Sequence, residues 1–331
     1  MTSGPLAITV RGELDPAEMG RTMSHEHIFV DNWAMTFDYD FILDSEPLAV
    51  VEVDRYRKAG GGTICDTTVR GIGRNPEGLA RVSEKTGVNI IMGAGWYREA
   101  VYPADFDQIP TNVLAAQLVE ELVFGVGDTS IRPGFIGEIG TERGAISPRQ
   151  ERMFRAAARA HLVTGCPIAT HTTHWGELGL EQIALLQEEG VKADSIIIGH
   201  LGDRYKDEVV VEVAKTGVWL SIDNLAFVSG YAPLEMRADN VARLWELGHG
   251  HQIMLSSDIC NLSQLSEYGG PGYSNVIEQF LPLLAQRGMG DTEFDQMLIH
   301  NPAKAFTYSP RHNTSTLDRT NLVDMVDMSL G

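Results

Sequence analysis

Eight short apolar runs rich in β-branched residues recur along the chain at fairly even intervals, and the segments between them carry helical periodicity and capping signals. The runs are MSHEHIFVD (23–31), GTICDTTV (62–69), NIIMGAGWY (89–97), GFIGEIG (134–140), PIATHTT (167–173), SIIIGHLG (195–202), VWLSIDN (218–224) and QIMLSSDI (252–259). Their near-continuous apolarity suits strands covered on both faces, the condition of a parallel sheet. The segment SPRQERMFRAAARAHLVTG shows the helix grammar. Ser147 caps, Pro148 takes the first helical position, Gln150 completes a capping box, Gly165 follows the end, and Met153, Ala156, Ala157 and Ala160 form the apolar stripe. Further helices are expected over 177–189, 206–216 and 235–247, each followed by a glycine. Eight strand–helix units predict an α/β fold of the (β/α)8 TIM barrel type, whose usual size is about 250 residues. It fills residues 1–306 as one domain. Residues 307–331, polar for most of their length, read as a C-terminal extension. An open doubly wound sheet would place a glycine-rich fingerprint after its first strand. That position holds SHEH, and the glycine pairs GIG (71–73) and GAG (93–95) read as turns.

On a strand, side chains two apart share a face, so His25 and His27 point together, into the barrel interior. Two buried imidazoles cost desolvation energy unless they are paired or bind a metal, and neutral imidazole is the commonest metal ligand. Taken alone, the H-x-H pair leaves both readings open. Position decides further: Glu138 ends strand 4, His171 strand 5, His200 strand 6 and Asp258 strand 8, at the face of this fold where active sites form. Four histidines and two carboxylates exceed the three protein ligands of a single catalytic zinc. They suit two divalent metal ions joined by a carboxylate. Zinc is the first expectation, and manganese, cobalt or iron are admitted by the same donors.

Other residues carry weaker signals. His174, three positions after His171, and Trp96, Tyr97 and Arg204 in loops over strands 3 and 6 are candidate substrate contacts. An aromatic there can equally lid the core, and Arg204 can pair with Asp203. If Arg204 faces the pocket it favours a substrate bearing a carboxylate, sulfonate or phosphate. His249 and His251 form a second H-x-H at the opposite end of the barrel, read as a surface turn. His161 reads as a helix residue near a C-terminus. His300 and His312 lie past the last strand, outside any catalytic part. Asp66 and Asn224 also end strands, and each can equally be a satisfied turn residue.

The net charge of −19 argues against a nucleic-acid partner, whose binding draws on Lys and Arg. Three cysteines, widely spaced and odd in number, exclude a disulfide framework and fit a reducing cytoplasm. Neither a signal peptide nor a membrane-spanning stretch is evident, so the expected partner is a small-molecule substrate, with a homodimer as the base-rate oligomer.

In order, H-x-H, the strand-4 acid, THT, GHLGD and SSD, framed by TVRGEL and NPAKAF, resemble the phosphotriesterase family of the amidohydrolase superfamily over about residues 5–306. The resemblance implies that His25, His27 and Asp258 hold one metal, His171 and His200 the other, and that Glu138 bridges them. The best-known members bridge with a carboxylated lysine. Glu138 supplies the same single charge and two oxygens, a pattern that, with GWYREAVYP, is similar to the phosphotriesterase-related (homology protein) branch. Amide cleavage of an N-acyl amino acid analogue is attributed to that branch, and lactone hydrolysis to a sister branch. The resemblance thus implies a binuclear metal-dependent hydrolase of a small carboxylic ester, lactone or amide, with Asp258 as general base and proton shuttle for a metal-bridging hydroxide. Phosphotriester hydrolysis is the alternative within this class, and a metal-retaining binding protein without turnover is the alternative from another.

Overall fold

The structure, a computed structural model, describes residues 4–173, 178–203, 208–227, 229–309 and 317–330. Each of the eight apolar runs forms a strand: β1 (Arg21–Glu26), β2 (Gly61–Asp66), β3 (Asn89–Ala94), β4 (Phe135–Gly140), β5 (Ile168–His171), β6 (Ile196–Ile198), β7 (Trp219–Ile222) and β8 (Ile253–Leu255). They pair in parallel in chain order, with Ile64 opposite Ile90, Ile136 opposite Ile168 and Leu220 opposite Ile253. Between β8 and β1 the ring closes just beyond the strands. There Asp258 N–H donates to the His25 carbonyl and His27 N–H to the Ile259 carbonyl, each at 3.2 Å. The result is a nearly closed (β/α)8 barrel.

Several strands are shorter than their apolar runs because the ladder stops where the chain turns onto the rim. His200 and Asp258 adopt φ values of 58° and 57°, the left-handed region that non-glycine residues rarely enter. Such backbone persists only when its surroundings fix it, and it concentrates at functional positions.

Helices follow the first seven strands: α1 (Glu46–Lys58), α2 (Pro76–Thr86), α3 (Thr111–Phe124), α4 (Pro148–Thr164), α5 (Gly179–Glu188), α6 (Glu208–Lys215) and α7 (Leu234–Glu246). In α4 the expected capping box is formed: Gln150 N–H donates to Ser147 Oγ at 3.2 Å, and Ser147 N–H to Gln150 Oε1 at 2.9 Å. Behind β8, Asn301 Nδ2 donates to the carbonyls of Gly250 and Ile253, tying the last helical segments to the barrel's base.

Alternation along each strand separates two cores. Ile64, Ile90 and Ile136 pack outward under the helices, while Cys65, Ile91, Phe135, Ala169, Ile197 and Met254 fill the lower interior. Phe306 closes the bottom edge-on to Phe135, with ring centroids 5.3 Å apart. With that end packed solid, the opposite, C-terminal end is where polar side chains can meet solvent. The chain after Phe306 returns to the barrel: Leu6 and Tyr308 exchange backbone hydrogen bonds of 3.1 Å, and the helix Leu322–Met328 buries Leu322 and Val326 beside α3 and α4. Among the described residues, no helix is long and apolar enough to cross a membrane.

Candidate active site

His25, His27, Glu138, His171, His200 and Asp258, carried on or just past five strands, meet at the C-terminal end of the barrel. Glu138 lies at the centre. Its Oε1 is 3.4 Å from His27 Nε2, and its Oε2 is 3.5 Å from His25 Nε2, 3.2 Å from His171 Nδ1 and 3.4 Å from His200 Nε2. Asp258 Oδ1 approaches the first pair, 3.6 Å from His25 Nε2 and 3.4 Å from His27 Nε2. His171 Nδ1 and His200 Nε2 are 2.7 Å apart. Most of these groups are under a tenth exposed; His27, Glu138, His171, His200 and Asp258 open onto one cleft of about 320 Å³, and His25 lies buried behind them.

For three of the four rings, the nitrogen that faces the centre is set from behind. His25 Nδ1 lies 3.3 Å from Asp223 Oδ2 and His200 Nδ1 lies 2.9 Å from Asp223 Oδ1, while His27 Nδ1 pairs with Thr68 Oγ1 at 2.9 Å. A proton on each Nδ1 satisfies these partners and turns the Nε2 atoms inward, the usual arrangement behind a metal-bound imidazole. His25 Nε2 is buried without a hydrogen-bond partner. This orphaned acceptor, three further imidazole nitrogens and a shared carboxylate make a donor set that fits divalent cations. Ligand atoms of His25, His27 and Glu138, and separately of Glu138, His171 and His200, lie close enough together to surround one ion each. Glu138 belongs to both groups. His25, His200 and Asp223 form a third such group, but its Nδ1 atoms are the ones engaged with Asp223.

The electrostatics follow the same layout. Burial would raise the Glu138 carboxyl, yet the imidazoles around it, His25 foremost and then His171, His200 and His27, hold it well below the usual carboxylate range. Burial and then repulsion from His200 push His171 down to about 4, keeping it neutral. Asp223 is held down at about 2 against its own burial by His200 and His25. Glu26, between the two histidines in sequence, faces the other way. Fully buried at the seam, it accepts from Ser256 Oγ and Ser257 N–H at 2.7 Å and from Ile259 N–H at 2.8 Å, so its carboxyl group grips the turn that carries Asp258. Burial outweighs these bonds and raises its carboxyl to about 8.

Around the cleft, Tyr97 faces inward and places its hydroxyl 3.1 Å from His171 Nδ1. Trp96 does not line the cleft: adjacent residues of extended chain face opposite ways, and it is buried under the Arg70 guanidinium, 4.6 Å from the ring centroid. His174 and Arg204 lie outside the described residues, as does His312. His249 sits in the turn before β8 with its Nδ1 3.0 Å from Gln252 Oε1, and His251 is exposed. His161 is buried in α4, paired with the Cys166 carbonyl at 2.7 Å. Asp66 accepts from the backbone of Ile28 and Thr68 behind the site, and Asn224 lines the cleft. Sequence reasoning passed over Asp223, Glu26 and Arg98. For Asp223 the signal was present: in VWLSIDN it shares its strand face with Ser221, whose hydroxyl meets Ser24 at 3.5 Å.

The sequence model of the phosphotriesterase family matches residues 6–306. The Phosphotriesterase homology protein of Escherichia coli is 33% identical over 287 residues, spanning 87% of this chain and 98% of that protein. An N-acetyltaurine hydrolase of Danio rerio is 30% identical over 91% of this chain and 97% of its own length. The crystal structure of the E. coli protein, with phosphate in its active site, superposes with a TM-score of 0.84 at 33% identity, covering 88% of this chain and 100% of that one. A lactonase from Listeria monocytogenes superposes at 0.85 with 28% identity, covering 92% and 99%.

Proposed function

The chain belongs to the phosphotriesterase family, and on that premise we propose that it is a binuclear metal-dependent hydrolase of a small carboxylic ester, lactone or amide. One observation carries the reading: the two oxygens of Glu138 lie within 3.5 Å of four imidazole nitrogens drawn from three strands, so one carboxylate serves two donor groups. His25, His27 and Asp258 would hold one divalent cation, His171 and His200 the other, zinc first and manganese, cobalt or iron next. When bound, such a pair supplies a hydroxide at neutral pH and polarises the atom under attack.

The remaining work falls to the chain. Asp258 stands at the cleft floor between the first histidine pair and open space, fixed by its left-handed backbone and by the hydrogen bond from its N–H to the His25 carbonyl. From there its carboxylate accepts the nucleophile's proton and passes it to the departing alkoxide or amine. Tyr97 presents its hydroxyl beside His171, where it can donate to the substrate oxygen that gains charge. Phe41, Phe227 and Tyr231 line the same cleft and keep water from the acyl portion.

The names of two relatives, an N-acetyltaurine hydrolase and a lactonase, support attack at a carbonyl carbon. Phosphotriester hydrolysis is the second reading, supported by the phosphate in the active site of the E. coli structure. Both are separated by one screen of metal-loaded protein on N-acyl amino acids, N-acyl taurines, lactones and phosphotriesters. The expectation is turnover of a carbonyl class by material holding close to two ions per chain. Well under one ion per chain in active protein, or no turnover on any class, overturns the proposal.

A further inference from the structure

We infer that Arg98 is the specificity-determining residue of the cleft, a guanidinium that anchors a carboxylate or sulfonate on the substrate's leaving portion while the acyl portion lies toward Phe227 and Tyr231. The inference rests on the hydrolase reading above and names the substrate class within it: an anionic acyl derivative of a small amino or hydroxy acid.

Arg98 is the one Lys or Arg among the described residues lining the cleft. Its Nε donates to Glu142 at 3.2 Å, and among the described residues its two terminal amino groups make no hydrogen bond. A guanidinium held by one edge keeps its other N–H groups for a two-pronged bond to a carboxylate or sulfonate, the geometry that suits arginine better than lysine. The side chain is seated rather than loose. Its guanidinium carbon lies 5.4 Å from the Tyr97 ring centroid, and its Cγ rests over Gly140, where an added Cβ would come within 2.8 Å of it and 3.2 Å of His171 Cδ2. Its cation therefore stands beside the reacting centre, one tyrosine ring from His171.

Across the barrel the lining changes character. Arg98 follows β3 and Thr173 follows β5, whereas Phe227 and Tyr231 follow β7 and pack at a tilt with centroids 5.0 Å apart. Phe41 is tied to the same side, since the neighbouring Asp40 accepts from Asn261 and Ser263 beyond β8. In a ring of eight strands, β3 and β7 are diametrically opposed. A substrate spanning the cleft meets a cation at one end and an aromatic wall at the other, with Glu138 between.

The test compares N-acetyl-β-alanine with its neutral carboxamide and a neutral lactone, on metal-loaded wild type, Arg98→Met and Arg98→Lys. The readout is the ratio of kcat/KM for the anion to that for the carboxamide. The wild type is expected to favour the anion, and Arg98→Met to lose that preference by roughly 10- to 100-fold, mostly in KM. Arg98→Lys should recover part of it. Calorimetric binding of pentanesulfonate, which cannot be hydrolysed, should weaken in step. Hydrolysis of the lactone without preference for the anion by wild type, or an equal loss on anion and carboxamide in Arg98→Met, overturns this assignment alone. No turnover of any of the three by wild type overturns this assignment, and the hydrolase reading falls with it only when the wider screen of carbonyl and phosphotriester classes is blank as well.

Discussion

At the floor of the cleft three inward-facing imidazoles are held from behind, His25 and His200 by Asp223 and His27 by Thr68, and Asp258 rides on a turn gripped by Glu26. Along the rim the support differs from one side to the other. After β2 and β3, Arg70 and Arg74 clamp Glu121 of α3, and Arg70 covers Trp96. After β7, Phe227 and Tyr231 sit on a segment anchored by the buried Arg237, whose guanidinium donates to the carbonyls of Asn224, Phe227 and Ala232. Reacting groups must be placed to within about half an ångström, and substrate walls need not be. The floor is therefore built of strand ends with two layers of contacts, and the rim of loops that can change without disturbing it.

If that division is right, substitutions at the floor act on ion content and kcat, and those at the rim on substrate choice. Glu138→Gln should have the largest effect, abolishing turnover and leaving at most one ion per chain by elemental analysis. Retention of two ions and of most activity would break the comparison at its centre. Asp258→Asn should lower kcat by about 10²- to 10⁴-fold with a much smaller loss of metal, which separates proton transfer from ion binding. Glu121→Gln should cost about 3 kcal/mol of stability in denaturant unfolding, because two arginines lose the carboxylate they face in a buried setting. Burial raises the Glu121 carboxyl, but Arg74 and Arg70 overcome this and hold it below its ordinary value. A depressed folded-state value stabilises above the unfolded one, so the difference between wild type and variant should be full at neutral pH and shrink as pH falls through the lowered value. Asp223→Asn should weaken metal affinity by roughly 10- to 100-fold in chelator competition while leaving substrate preference alone. The smallest change is expected for Phe227→Leu, a few-fold shift in preference among acyl lengths at constant ion content. A matching loss of metal there would show that rim and floor are not separate.

The floor was legible in the sequence because its residues are punctuation in apolar runs. His25, His27, Glu138, His171 and His200 interrupt β-branched stretches at the ends where this fold places chemistry, and period two orients the first pair. Asp223 was legible by the same rule and was obscured by its neighbour Asn224. Glu26 was harder: its partners lie in the last strand's turn, and nothing local tells what an outward-facing carboxylate meets once the ring closes. The rim was not legible. Which of Trp96 and Tyr97 faces the cleft depends on where β3 stops pairing, at Ala94, and that Arg98 comes to rest over Gly140 is a matter of loop packing rather than periodicity.

Closure of the barrel at Glu26 and Ile259 joins positions 233 apart in the chain. During synthesis the H-x-H pair emerges long before Asp258, and no fragment ending before β8 can present the full donor set. Bringing distant segments together is the slow, entropically costly part of forming such a topology. If the proposed ions bind, a refolding chain should therefore gain its last strand and its full ion occupancy in the same kinetic phase, and metal uptake would be a clock for the final docking event.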